Sequence, residues 1–149
     1  MHLLAHAFCG TGDDMLTVGQ VAGDFVRGRD LSAYPARMAI GIRHHRALDS
    51  ATDQHPVVRR SRARLDGAWR RYAGVLVDLA YGHFLARDWT RLGEGSLSDF
   101  EAAVHDDLAR HHVVLPPRLQ GARERLRDGR VLSGIGETCL LYTSDAADD

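Results

Sequence analysis

Apolar residues recur along this chain at helical rather than strand spacing, and short polar or glycine-bearing segments separate the runs. From Leu16 to Arg27, Val18, Val21, Phe25 and Val26 share one helical face, and Gly28 supplies a C-terminal stop. Tyr34-Pro35 opens a second helix, Ala36 to Ser50, with Met38, Ile40, Ile42 and Leu48 apolar. Pro56 starts an arginine-rich helix that the pattern carries to about Tyr72. Gly74 to Trp89 is the most apolar helix, and Gly93 and Gly95 break the chain after it. Ser98-Asp99-Phe100-Glu101 reads as a capping box for a helix through about Val113. Pro116-Pro117 ends that helix, and a polar, arginine-rich one follows to Asp128. No segment alternates as a sustained strand, and no repeat or low-complexity linker interrupts the series. The pattern predicts an all-α fold in a single domain.

Composition narrows the class. The chain has 149 residues, 44% hydrophobic and 26% charged, which fits one globular domain with a real core. No apolar run is long enough to span a bilayer, and the first residues lack a signal peptide's basic start and long apolar stretch. With only Cys9 and Cys139, no disulfide framework is expected, and the predicted compartment is the cytoplasm. All 19 basic residues are arginine. That bias fits a GC-rich genome, and equally a surface that grips phosphates or carboxylates by paired hydrogen bonds. The last eleven residues, Cys139 to Asp149 (CLLYTSDAADD), change composition abruptly and resemble translated sequencing-adapter read-through. The predicted domain is therefore 1–138, with 139–149 a non-native tail. Without the tail's three aspartates the net charge moves from -1 to about +2, which favours an acidic partner.

Several polar residues lie where core residues belong. His6 sits in an apolar stretch, and Asp24 interrupts an apolar face between Val21 and Phe25. His45 and Asp49 are four apart and project about 40° from each other on a helix. Asp78 lies inside VLVDLAYGHFL, with His83 five residues on. A carboxylate there costs several kcal/mol unless it is paired or metal-bound. If several helices deliver these groups to one centre, mixed imidazole and carboxylate ligands suit Mn²⁺, Fe²⁺ or Zn²⁺. Such an ion acidifies a bound water and neutralises phosphoryl charge, which suits phosphoester hydrolysis without a covalent intermediate. The bland readings stand beside this one. A helical His–Asp pair also forms an ordinary hydrogen bond, Asp24 could pair with Arg27 or Arg43, and His83 could be a core histidine.

Four blocks carry a family resemblance: MHLLAH at the N-terminus, GQVAGDFVRG at 19–28, GIRHHRALDSATDQHPVV at 41–58 and VDLAYGHFLARDW at 77–89. In order, spacing and local sequence the chain resembles the acyl carrier protein phosphodiesterases over roughly residues 1 to 138. The resemblance implies an HD-domain-like helical bundle, incomplete at its C-terminal end because family members continue through further helices. It implies removal of the 4′-phosphopantetheine arm from holo-acyl carrier protein, with Mn²⁺ as the favoured ion. Carried over residue by residue, it implies His45, Asp49 and Asp78 as metal ligands or their immediate partners. His6 and Asp24 complete the sphere or orient the attacking water, and His83 is a further catalytic candidate. Arg27 and Arg46 are candidates for holding phosphate oxygens. Where the family commonly carries an acid just before the histidine of the fourth block, this chain has Gly82.

Other features divide between partner and solvent. Arg59, Arg60 and Arg64, in a run continued by Arg70-Arg71, form the expected docking surface for an acidic carrier protein, or else an ordinary solvated face. Nucleic acid is disfavoured, because the basic run has no interleaved aromatics and the net positive charge is small. His105-Asp106 spells an HD dipeptide, but its charged helix reads as a solvated face, and His111-His112 as a polar helix end. Two other functions stay open: a related phosphohydrolase acting on another phosphoester, and a non-catalytic helical binding module.

Overall fold

The structure is a computed structural model that describes residues 1–130 together with Leu132 and Gly134; the adapter-like segment 139–149 lies outside the described residues. Among the described residues every regular element is helical: α1 (Leu3–Phe8), α2 (Asp14–Ala22), α3 (Ala36–Gln54), α4 (Pro56–Ala63), α5 (Ala73–Arg87), α6 (Trp89–Leu92), α7 (Leu97–Arg110) and α8 (Pro117–Asp128). Short 3₁₀ turns cover Gly23–Phe25, Gly67–Tyr72 and His112–Val114. Among the described residues no helix is long and apolar enough to cross a membrane.

The core is aliphatic, and α2 and α3 run through it. Leu4, Val18, Val21, Met38, Ile42, Leu108 and Leu119 are almost fully buried. Each such side chain contributes roughly 1.5–3 kcal/mol of burial free energy. Phe8, Trp89 and Phe100 add an aromatic cluster that ties α1, α6 and α7 together, with the rings of Trp89 and Phe100 4.7 Å apart. The α2–α3 crossing is close enough to exclude side chains at two positions. A Cβ on Gly19 would sit 2.8 Å from the Cα of Gly41, and one on Gly41 would sit 2.5 Å from the carbonyl oxygen of Leu16. Asp13 fixes the entry to α2 by accepting the Leu16 N–H at 2.8 Å, and it also receives the Arg37 guanidinium from α3.

Several boundaries differ from the periodicity: α3 runs on to Gln54, α5 stops at Arg87 and α7 at Arg110, and three others show their cause. The helix read as Leu16–Arg27 stops at Ala22 and tightens into a 3₁₀ turn, because Gly23 lies directly against the His45 ring. The helix read from Pro56 to about Tyr72 stops at Ala63, and Gly67 takes φ +55°, a left-handed conformation open mainly to glycine. The cap of α7 is Ser96 rather than Ser98: the Ser96 hydroxyl accepts the Asp99 N–H at 3.0 Å, and Glu101 turns into the protein. Pro117 occupies the first turn of α8, and that helix ends at Asp128 as the pattern predicts.

Candidate metal centre

The crossing of α2 and α3 decides where the polar groups meet. Because α2 ends early, Asp24 leaves the helix line, and its Oδ1 comes within 3.3 Å of His45 Nε2. One turn along α3, Asp49 Oδ2 stands 3.2 Å from the same nitrogen. From α1, His6 reaches across to place Nε2 3.0 Å from Asp49 Oδ1, and its ring stacks on His45 at 3.6 Å between centroids. Asp78 joins from α5 through the Met1 ammonium, which lies 2.9 Å from Asp49 Oδ1 and 3.3 Å from Asp78 Oδ2. The imidazoles form a closed floor, with His6 fully buried, and the carboxylates form an open rim, with Asp24 56% exposed.

The hydrogen bonds of His45 fix its tautomer. Its Nδ1 lies 2.7 Å from the carbonyl oxygen of Gln20, which can only accept, so Nδ1 carries the proton. In the neutral ring the Nε2 lone pair then points at two carboxylate oxygens, three acceptors with no donor between them. A proton on Nε2 or a cation in their midst resolves that conflict. An imidazole whose far nitrogen donates to a backbone carbonyl is the usual arrangement of a metal-ligating histidine. His6 is held differently: its Nδ1 is buried without a hydrogen-bond partner, so it can turn either an N–H or a lone pair toward Asp49.

The electrostatics point the same way. Burial pushes His6 below the ordinary histidine range, neighbouring His45 adds to this, and Asp49 only partly opposes it. With a proton on His45 Nε2, the hydrogen bond it donates holds Asp24 below the usual carboxylate range, against the effect of burial. Burial alone would lower the Met1 ammonium, but Asp49 and Asp78 outweigh it and hold it high. Positive charge is therefore favoured between Asp49 and Asp78, where the ammonium stands. His6, His45 and Asp49 each offer one ligand atom, all within 4.8 Å of one another, and among the described residues no other such group is found. Two imidazole nitrogens and a carboxylate oxygen at this spacing fit a divalent metal ion.

The remaining site residues predicted from sequence fall into three places. Arg46 donates to the Val26 carbonyl at 3.0 Å, holding the end of the Gly23–Phe25 turn against α3, and Arg27 is exposed next to it. Arg59, Arg60 and Arg64 are exposed on and just after α4. His83 is not brought into the cluster. Five residues after Asp78 it projects about 140° away around α5, and its ring meets the edge of Phe84. His105 sits 3.8 Å from Glu101 on α7, and His111 bonds Asp14 at 2.8 Å, so neither belongs to the cluster. Sequence reasoning missed Gln20, whose carbonyl orients His45 and whose side-chain amide meets His44 Nδ1 at 2.9 Å. Its signal was a fully polar side chain in the middle of an apolar helix. It also missed His2, which burial pushes down to about 4 although Asp78 opposes the shift.

Two outcomes follow from this packing. A methyl group on Gly23 would overlap the His45 ring, with Cδ2 at 2.5 Å, and the ring cannot yield without losing the Gln20 bond or the His6 stack. Gly23→Ala is therefore expected to weaken divalent-metal affinity roughly 10–100-fold while removing no ligand, as read by a Mn²⁺ titration. Unchanged affinity would contradict the placement of His45. The second outcome concerns pH. His2 and His6 both have folded pKa values below their unfolded value, so the unfolded chain takes up protons first as pH falls. Stability of the metal-free protein is full above the unfolded value of about 6.5 and is lost as pH falls toward 4, His2 alone contributing on the order of 2–3 kcal/mol. Thermal melts in chelator check this, and a midpoint that stays flat from pH 7 to 4 would contradict it.

Fold and site together define an all-helical protein with a histidine–aspartate centre suited to a divalent ion. The family model for acyl carrier protein phosphodiesterase matches residues 1–140, and this chain belongs to that family. It is 33% identical to an acyl carrier protein phosphodiesterase of Yersinia enterocolitica, over 92% of this chain and 72% of the relative. It is 38% identical to one from Photorhabdus laumondii over 80% of this chain and 61% of the relative, and 35% identical to one from Serratia proteamaculans over 80% and 63%. No solved structure matches this chain significantly.

Proposed function

We propose that this chain hydrolyses the phosphodiester linking 4′-phosphopantetheine to holo-acyl carrier protein, releasing apo-carrier protein and phosphopantetheine, with Mn²⁺ as the working ion. The observation that carries the reading is the convergence of His6, His45 and Asp49 within 4.8 Å, in a chain of this family. In the reaction a water adds to phosphorus, the bond to the carrier protein's hydroxyl oxygen breaks, and that oxygen leaves with a proton. A divalent ion, when bound, supplies positive charge for the phosphoryl oxygens and acidity for the attacking water.

The protein's own groups do the rest. His6, His45 and Asp49 would hold the ion, with Asp24 and Asp78 on the open rim beside it. Asp24, exposed on the rim beside the ion-holding His45, is placed to accept the proton of the attacking water. Arg27, and Arg46 at the same turn, would meet phosphate oxygens. The exposed Arg59, Arg60 and Arg64 give α4 a positive face that would orient an acidic carrier protein on approach. The test is the intact mass of holo-acyl carrier protein incubated with the protein and Mn²⁺. Loss of the phosphopantetheine arm, stopped by chelator, is the expected result. An unchanged carrier mass with folded, metal-loaded protein would overturn the assigned substrate.

A further inference from the structure

The 3₁₀ turn Gly67–Tyr72 repeats every three residues, so side chains three apart stand one above the other. Trp69 and Tyr72 are such a pair, and Val75 continues their line into the first turn of α5. All three meet solvent, with Trp69 53%, Tyr72 46% and Val75 62% exposed. One large apolar side chain in water is ordinary, but three in line form a patch of the kind that marks a binding face.

Arginine surrounds this ridge. Between Val57 and Val75 the sequence carries six arginines and one acid, Asp66. Arg62 is paired with Asp53, and a Cβ on Gly74 would meet its guanidinium at 3.8 Å. That approach, with the 2.8 Å bond between the Ser61 and Tyr81 hydroxyls, lays α4 along α5 beside the ridge. Among the described residues Arg59, Arg60, Arg64 and Arg70 have no ion-pair partner, and Arg71 lies 4.6 Å over the Tyr72 ring. Aromatic rings therefore do stand among these cations, at Trp69 and Tyr72 on either side of Arg70-Arg71. Base stacking by a single-stranded nucleic acid needs open ring faces, and one face of Tyr72 is covered by Arg71. A net charge of -1 also gives the whole chain no general pull on a polyanion. An acidic protein fits both features: its carboxylates take the unpaired guanidinium groups, and its apolar side chains meet the ridge. Trp, Tyr and Arg are the residues that dominate binding energy at protein interfaces.

We propose that the Trp69–Tyr72–Val75 ridge is the apolar anchor on which the acidic carrier protein docks, with Arg64, Arg70 and the α4 arginines gripping its carboxylates at the rim. The identity of the carrier rests on the function proposed above.

The chain has two tryptophans, and Trp89 is 3% exposed and packed on Phe100, so an emission change on docking reports Trp69. In chelator, titration of the full chain with holo-acyl carrier protein is expected to move the emission to shorter wavelength and to saturate at one carrier per chain. Tyr72→Ala, which keeps the reporter, is expected to weaken Kd roughly 10–30-fold. Arg70→Glu should weaken it as well and flatten its salt dependence. Val113→Ala, at an apolar residue 89% exposed on another element, should bind as wild type. Emission that stays fixed up to about 1 mM carrier, or a wild-type Kd in Tyr72→Ala, would overturn the docking site even if Mn²⁺-loaded protein hydrolyses the carrier. A shift produced by concentrating the chain alone would give the ridge to a second copy, and one produced by a single-stranded oligonucleotide but not by the carrier would give it to nucleic acid. Either overturns the proposal. Saturable docking of a carrier that Mn²⁺-loaded protein leaves intact would sink the hydrolysis and leave the docking site standing.

Discussion

Asp49→Ala is expected to abolish turnover, lowering kcat/KM at least about 10³-fold, while the helices stay folded. Asp49 touches both imidazoles and the Met1 ammonium: His6 at 3.0 Å, His45 at 3.2 Å and the ammonium at 2.9 Å. Its removal takes away a ligand and the acceptor that faces both imidazoles. The fold is spared because Asp49 lies on the half-open rim, 36% exposed, and because its loss also relieves repulsion among Asp24, Asp49 and Asp78. Asp49→Asn keeps the shape without the charge and should lose nearly as much. Steady-state kinetics alongside circular dichroism check both parts. Activity within ten-fold of wild type would remove Asp49 from the reaction.

The largest effect on stability is expected at the α2–α3 crossing. Gly19→Ala places a methyl group against the Met38 carbonyl and the Gly41 Cα, and Gly41→Ala places one against the Leu16 carbonyl. These neighbours are backbone atoms, which cannot rotate aside as a side-chain tip would, so the two helices must separate. A loss of about 3 kcal/mol is expected for either change, or roughly 10 °C in melting midpoint for a chain of this size. The damage extends to chemistry, since α2 carries the Gln20 carbonyl and α3 carries the ring it orients. Denaturant and thermal melts provide the measurement. A wild-type midpoint in Gly19→Ala would show that the helices are not this close.

What could be read from the sequence divides along physical lines. Periodicity exposed the helices because burial of one face governs their existence, and Ala36 and Pro56 start helices where the pattern placed them. Helix ends were less legible, since they depend on tertiary neighbours. Nothing local says that the ring of His45 sits on Gly23, so the break at Ala22 and the turn that carries Asp24 to His45 are long-range consequences. The four-residue spacing of His45 and Asp49 was local and readable. Asp24's choice of His45 over Arg27 or Arg43 was not. The role of Gln20 was hidden because its main-chain carbonyl orients His45. His2 was hidden because its ring fills the space that Gly82 leaves open, 80 positions away. His83 stood near Asp78 in sequence, yet five residues on a helix point to the other side.

The measurement that bears most directly on the histidine–aspartate centre is a Mn²⁺ titration of the metal-free chain followed by electron paramagnetic resonance, with pulsed detection of nitrogen coupling. One Mn²⁺ per chain is predicted, carrying coupling to imidazole nitrogen that diminishes in His45→Ala and again when His6→Ala is added. Mn²⁺ bound with the same nitrogen coupling in the double variant, or not bound by the wild-type chain at all, would contradict the centre described above.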